Sequence, residues 1–283
     1  MPPPADSIEP VLDLSRWREY DDLITDSLWL LGARDRSSTH SNEYWGAFVP
    51  QIPNQVVRRF TAPREVVLDL FSGLGATLIE CRGLGRHSVG VELIPSTAER
   101  SRDILRRTAD PFGVEARIVV GDSTTSKTSE LVRETLHTLG DGFADCVILH
   151  PPYHDIIKFS DDPRDLSNAP THAAFLDGFR AAVGHAVELL RPGRRLALVI
   201  GDRYARGEWV PLGFECMQVC RDAGLLLKAI NVKDVQGNER GKGVNTNLWR
   251  YRALKQGLYV FKHEYVMLFE KPTSSRRDST PAT

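Results

Sequence analysis

Val66-Val-Leu-Asp-Leu-Phe-Ser-Gly-Leu-Gly-Ala-Thr77 opens as an apolar strand, turns on Gly73 and Gly75, and ends where a helix begins. Glycine at the turn lets the backbone bend tightly and approach a ligand with no Cβ in the way. The next apolar run, Val89-Gly-Val-Glu92, ends in an acid placed to accept hydrogen bonds from ribose hydroxyls. The spacing of about 20 residues is shared with dinucleotide-binding folds. A third run, Val120-Gly-Asp122, brings another carboxylate to the same crevice. A pyrophosphate-binding turn would read GxGxxG; this one reads GxGAT, so the loop is of a kind that needs no pyrophosphate cradle.

Working outward from this loop, β-rich runs at 66–70, 88–92, 117–120, 145–149, 195–200, 225–232 and 265–269 alternate with helical patterns at 76–83, 96–108, 129–139, 171–190 and 212–222. Alternation at this spacing predicts βαβ units and a doubly wound, mostly parallel, seven-stranded sheet in an α/β protein. Ligands of such sheets bind at the carboxyl ends of the strands. Residues 1–42 read as an N-terminal helical extension, with Trp17, Tyr20, Leu23, Ile24, Leu28 and Leu31 at helical spacing across 17–31. Residues 43–271 read as one domain and the Pro/Ser/Thr-rich 272–283 as a disordered tail.

The 283 residues carry a net charge of −1, with 41% hydrophobic and 26% charged residues, as expected of an ordinary globular chain. No apolar run reaches the roughly 18–20 residues of a membrane span, and the N-terminus lacks a signal peptide's basic and apolar regions, so a cytoplasmic protein is expected. Cys216 and Cys220 are spaced i, i+4 in an apolar stretch; with Cys81 and Cys146 they read as buried reduced thiols rather than metal ligands. Charge is unevenly spread. Between 228 and 262, Lys228, Lys233, Arg240, Lys242, Arg250, Arg252, Lys255 and Lys262 face only Asp234 and Glu239. Such a segment suits phosphate contact, and equally a solvated surface hairpin.

The fourth strand runs Ala144-Asp-Cys-Val-Ile-Leu-His-Pro-Pro-Tyr153. Two prolines cannot continue a sheet ladder and hold the backbone extended, which leaves carbonyl groups near His150 and Pro151 free at the sheet edge. Carbonyls gripping both hydrogens of a conjugated amine would favour its pyramidal, more nucleophilic form. Tyr153 offers a flat face for an extruded base.

Phe71-Ser-Gly-Leu-Gly-Ala-Thr77 together with His150-Pro-Pro-Tyr153 resembles the amino-methylating DNA methyltransferases, which modify cytosine N4 or adenine N6. Tyr44-Trp-Gly-Ala-Phe-Val-Pro-Gln-Ile-Pro53 is similar to the family's segment before the cofactor loop, residues 190–202 to its fifth-strand region, and 263–269 to its last strand. The resemblance implies a Rossmann-like methyltransferase fold with S-adenosylmethionine as cofactor. It implies cofactor contacts at Phe48, Pro50, Asp69, Phe71, Ser72, Gly73, Gly75 and Thr77, with Glu92 on the ribose and Asp122 on the adenine amine. His150, Pro151, Pro152 and Tyr153 would form the catalytic base pocket. His150 departs from the Asp or Asn usual in adenine enzymes and the Ser usual in cytosine-N4 enzymes. The longer string His150-Pro-Pro-Tyr-His-Asp-Ile-Ile-Lys-Phe-Ser160 is similar to a subgroup associated with cytosine N4, which makes that amine the expected target. A neutral imidazole with an ordinary pKa could take the amine proton. The rival targets are adenine N6, a guanine amine in RNA and a protein glutamine amide; a further rival is a non-catalytic nucleic-acid binder. Little chain follows the last strand, so DNA contact is assigned to 237–259, with Arg240, Lys242, Arg250 and Arg252 on phosphates and base edges. DNA is the expected partner and a restriction endonuclease a candidate one, the chain being a monomer or homodimer.

Overall fold

The computed structural model describes residues 11–40, 48–235 and 246–273. A short strand β1 (Leu28–Trp29) and helix α1 (Gln51–Phe60) precede the alternating part. That part runs β2 (Val66–Asp69), α2 (Ala76–Gly83), β3 (His87–Glu92), α3 (Pro95–Arg107), β4 (Ala116–Val120), α4 (Ser126–His137), β5 (Ala144–Leu149), α5 (His172–Leu189) and β6 (Leu190–Ile200). A two-stranded ribbon, β7 (Arg203–Ala205) with β8 (Glu208–Val210), leads to α6 (Leu212–Asp222), β9 (Leu226–Asp234), α7 (Thr246–Gln256) and β10 (His263–Glu270).

The main sheet has the order β1-β9-β10-β6-β5-β2-β3-β4. Strands β2 to β6 are mutually parallel, and β10 inserts antiparallel between β6 and β9. Every residue of β2 and of β5 is buried because helices cover both faces, which is why both strands read as unbroken apolar runs. Alternate residues serve opposite faces. Val66, Leu68, Val147 and Leu149 pack with Phe175, Phe179 and Val183 of α5. Val67, Cys146 and Ile148 pack with Ile52, Val56 and Val57 of α1. All four cysteines are free and buried, with Cys216 and Cys220 of α6 inside the first of these cores.

All seven expected strands and all five expected helices are present, displaced by a few residues at their ends. The seven-strand count is corrected to eight among the described residues, since β1 pairs parallel with β9 (Leu28↔Val232, Trp29↔Lys233). The expected helix across 17–31 is absent. A short 3-10 helix, Leu14–Glu19, capped by Asp13 Oδ1 on the Ser15 amide (3.0 Å), is followed by turns and bends that lead into β1. The acids and serines of this stretch bind their own backbone and compete with helix. Trp29, 3% exposed, finds its burial through the sheet edge instead. Helices α1 and α7 and the β7–β8 ribbon were not anticipated. Residues 274–283, most of the expected tail, lie outside the described residues, and no described helix is long and apolar enough to cross a membrane.

Candidate active site

From β2 the chain steps outward to β3 and β4, then returns across the sheet to β5 on the other side of β2. Loops after β2 and β5 therefore diverge and leave a crevice at the carboxyl edge. A cavity of about 1190 Å³ fills it. One wall holds Phe71, Ser72, Gly73, Glu92 and Asp122; the other holds His150, Pro151, Pro152 and Tyr153. Arg34, His40 and Phe48 line it from the N-terminal side, and Asp202, Lys233, Trp249 and Glu264 from the β6–β9–β10 side.

The loop after β2 is braced from beneath. Asp69, 1% exposed, accepts from the Phe71 amide (2.9 Å) and the Thr77 hydroxyl (2.5 Å), and burial pushes its carboxyl up to about 6. Gly75 has φ +83°, and a Cβ there would stand 2.7 Å from Ser101 Oγ, so only glycine fits both the backbone and the contact with α3. Asp69, Gly75, Thr77 and Pro50, expected on the cofactor, are not among the residues that line the cavity. Pro50 is the N-cap of α1, and the other three shape the loop that carries Phe71 to Gly73.

Glu92 closes β3, 8% exposed, with Oε1 accepting from the Ile94 amide at 2.8 Å. Burial pushes it up to about 7, against the pull of the Ile94 and Gly73 amides, and no described residue forms an ion pair with it. A buried carboxylate of this kind suits hydroxyl donors from a ribose. Asp122 Oδ1 accepts from the amide (2.9 Å) and hydroxyl (2.7 Å) of Thr124, fixing the turn after β4.

On the opposite wall, the His150 ring lies between Phe48 (centroids 4.8 Å) and the edge of Tyr153 (5.6 Å). Phe48, expected on the cofactor, lines the cavity and touches this imidazole. A Cβ at Gly201 would come within 3.0 Å of Tyr153 Cε2, so glycine lets the phenol ring lie against the end of β6. Burial pushes His150 down to about 4, with Lys233 adding to the effect and Glu264 opposing it. The ordinary imidazole pKa expected from the sequence is thereby corrected: His150 is neutral throughout the physiological range.

Arg250 and Arg252 are exposed on α7, and the Arg252 guanidinium sits 5.3 Å from the centroid of Trp249, which lines the cavity. Arg240 and Lys242 lie outside the described residues. Lys233, counted among the basic surface candidates, is instead 1% exposed and bonded to Glu264.

A family model described as DNA methylase matches residues 9–103, which include the loop after β2 and Glu92. Over 68 residues the chain is 31% identical to the Type II methyltransferase M.MjaII of Methanocaldococcus jannaschii, a stretch covering 23% of this chain and 13% of that protein's length. The solved [4+2]-cyclase SpnF superposes with a TM-score of 0.50 at 13% identity, over 87% of this chain and 89% of its own. A methyltransferase from Pyrococcus furiosus superposes at 0.49 with 14% identity, over 82% of this chain and 88% of its own. The strand order and site define a Rossmann-like, S-adenosylmethionine-dependent methyltransferase fold. Over 9–103 the resemblance to the amino-methylating DNA methyltransferases is borne out.

If Glu92 holds the ribose of the cofactor, its raised pKa gives cofactor binding a pH dependence. In that arrangement the ionised carboxylate would accept from two ribose hydroxyls, whereas the protonated form would give up one acceptor site. Affinity for S-adenosylmethionine is therefore expected to fall as pH drops through about 7, and to level off above it. Glu92→Gln should bind about tenfold or more weakly, since hydrogen bonds to a charged group are worth roughly 1.5–3 kcal/mol, and its affinity should be flat across this window. Calorimetry from pH 6 to 8 checks both; a titration persisting in Glu92→Gln would assign the proton elsewhere.

Proposed function

We propose that this chain methylates the N4 amine of cytosine in DNA, taking the methyl from S-adenosylmethionine and acting on a base flipped into the cavity. The carrying observation is that the His150-Pro-Pro-Tyr153 corner and the Gly73–Glu92 crevice face one another across a single cavity. The donor supplies, when bound, an electrophilic methyl carbon on a sulfonium. Glu92 holds the ribose and Asp122 the adenine amine, and Phe71 to Gly73 cover the cofactor's flank. Pro151 and Pro152 keep the corner extended so that carbonyls grip the substrate amine, and Tyr153 stacks on the base. The amine nitrogen itself attacks, so no covalent enzyme intermediate is formed. Its proton passes to an acceptor at His150. An N-protonated conjugated amine is a strong acid, and a weak base suffices to receive that proton.

The choice of cytosine rests on the uncharged, non-acidic residue at position 150 and on the string 150–160. Residues 43–271 are taken as the catalytic domain. Incubating DNA with the protein and S-adenosylmethionine, then digesting to nucleosides for mass spectrometry, tests the reading: N4-methyldeoxycytidine is expected. N6-methyladenine, or methylation confined to RNA or protein, would replace it.

DNA contact is assigned to α7, whose Arg250, Arg252 and Lys255 have no acid within the helix. Arg250→Ala/Arg252→Ala should weaken DNA binding and reduce the log–log salt slope by about one unit per lost phosphate contact. An unaltered slope would make α7 a surface helix only.

A further inference from the structure

Beside the candidate site lies a row of buried polar groups that substrate and cofactor contacts alone do not require. Lys233 on β9 and Glu264 on β10 are direct cross-strand partners. The lysine ammonium donates to Glu264 Oε1 at 2.9 Å, with side-chain exposures of 2% and 14%. Tyr153 Oη donates to Glu264 Oε2 at 2.9 Å, and stands 3.2 Å from His150 Nε2. A tyrosine hydroxyl has one proton. Having given it to the carboxylate, Oη can only accept, so Nε2 must carry the hydrogen between them. In a neutral imidazole that leaves Nδ1 as a bare lone pair, and no described residue donates to it. Phe48 and Tyr153 hold the ring on two sides, so it has little freedom to turn over.

We infer that Lys233, Glu264 and Tyr153 form a one-directional hydrogen-bond chain that fixes His150 in its Nε2–H tautomer, so that Nδ1 serves as the acceptor for the substrate amine. Lys233 and Glu264 are positioning residues, acting only through Tyr153 and His150. A buried lysine–glutamate pair seldom contributes more to stability than apolar side chains of the same size. What it supplies here is direction. The ammonium commits the carboxylate to accepting, the carboxylate commits the phenol to donating, and the phenol oxygen commits Nε2 to donating. As the amine nitrogen bonds the methyl carbon, the carbon–sulfonium bond would break with its electron pair left on sulfur as a neutral thioether; the proton released by the amine goes to Nδ1, and the resulting imidazolium is joined through Tyr153 to the Glu264 carboxylate. The acceptor role rests on the methyltransferase reading above; the tautomer does not.

Glu264→Gln is the discriminating variant. The glutamine oxygen still accepts from Lys233, but its amide now donates to Tyr153 Oη. The phenol proton then turns toward His150 Nε2, and the hydrogen moves to Nδ1. Long-range ¹H–¹⁵N spectra of the histidine-labelled full chain, with the signal assigned through His150→Gln, should show a pyrrole-like Nε2 and pyridine-like Nδ1 in the natural protein and the reverse in Glu264→Gln. Single-turnover methyl transfer should fall at least about tenfold in Glu264→Gln, the loss of one hydrogen bond at the reacting atom, with S-adenosylmethionine affinity retained. Tyr153→Phe, which cuts the chain without reversing it, should give a tautomer mixture and serves as second variant should Glu264→Gln not fold. An unchanged tautomer in both variants, or an inverted tautomer with an unchanged rate, overturns the inference. A natural protein that methylates no nucleic acid overturns the functional reading instead, while the spectra still decide the tautomer.

Discussion

Lys233→Met is expected to lower the stability of the protein by about 3–5 kcal/mol, the cost of leaving one member of a buried ion pair without its partner. Methionine matches the length of the lysine stem, so the loss comes from charge rather than from a cavity. Glu264 would then keep only the Tyr153 hydroxyl and would take up a proton to avoid an isolated buried charge. In the natural protein burial raises the Glu264 carboxyl, but Lys233, with help from His150 and the Tyr153 hydroxyl, holds it below its ordinary range. In Lys233→Met its folded-state pKa should lie above the unfolded value, so the variant's stability should decline further as pH rises. Urea unfolding at pH 5 and pH 8 measures both effects. Adding Glu264→Gln should restore most of the loss, because the charge that could not be paired is gone. A solvent-exposed pair would contribute only about 0–1 kcal/mol, so a loss of that size would mean that water reaches Lys233.

The alternating core of the fold is legible residue by residue. β2 and β5 are apolar on both faces because both faces are covered, and α3 is announced by Pro95 at its first position with Ala98, Ser101, Ile104 and Leu105 turned inward. Helix α1 is not among the helices expected from the sequence, and it contains Pro53. Pro53 falls in the first turn, where its missing N–H removes no helical hydrogen bond, and Ile52, Val56 and Val57 do carry the helical spacing. The stretch 17–31 misleads in the opposite direction. Its apolar spacing is helical, but Leu28, one of those residues, and its neighbour Trp29 extend the sheet by pairing with β9, a partner about 200 residues away that no local pattern reveals. Helix α7 has no buried face among its described residues, with Leu248, Tyr251 and Leu254 all exposed, so no periodic signal was present to find.

The site follows the same division. Glycine turns, strand-end acids and the Pro-Pro corner are local features, and the sheet brings them to one cavity as their places in βαβ units require. Asp69 and Thr77 belong to the same local motif but point beneath the loop, a distinction that depends on which way the chain bends after Leu70. Glu264 and Lys233 were not recognisable as a pair. Each is a charged residue within a β-rich run, which is a signal of a functional or paired burial, but their register across β9 and β10 is set by tertiary packing. Counting Lys233 with the basic segment followed from reading charge without burial.

Tyr153→Ala is expected to reduce single-turnover methyl transfer by at least about 10²-fold while leaving S-adenosylmethionine affinity nearly unchanged. Two losses combine. Base–aromatic stacking is worth roughly 1–3 kcal/mol per base, and a displacement of about 1 Å of the reacting amine can by itself cost about 10²-fold. The truncation also removes the phenol that stands between His150 and Glu264, so the imidazole loses its edge contact and its partner for Nε2. Tyr153→Phe separates these contributions. It keeps the ring face against Gly201 and, on the proposed function, the stacking with a flipped base, and loses only the hydroxyl. Were stacking the whole role of Tyr153, phenylalanine would retain most activity. With the hydroxyl bonded to Glu264 and beside His150, a fall of about tenfold is expected even with the ring intact. Rapid-quench measurement of both variants at saturating cofactor places each contribution on one scale. A fully active Tyr153→Ala would remove the base pocket from this wall of the cavity and leave His150 without a substrate to face.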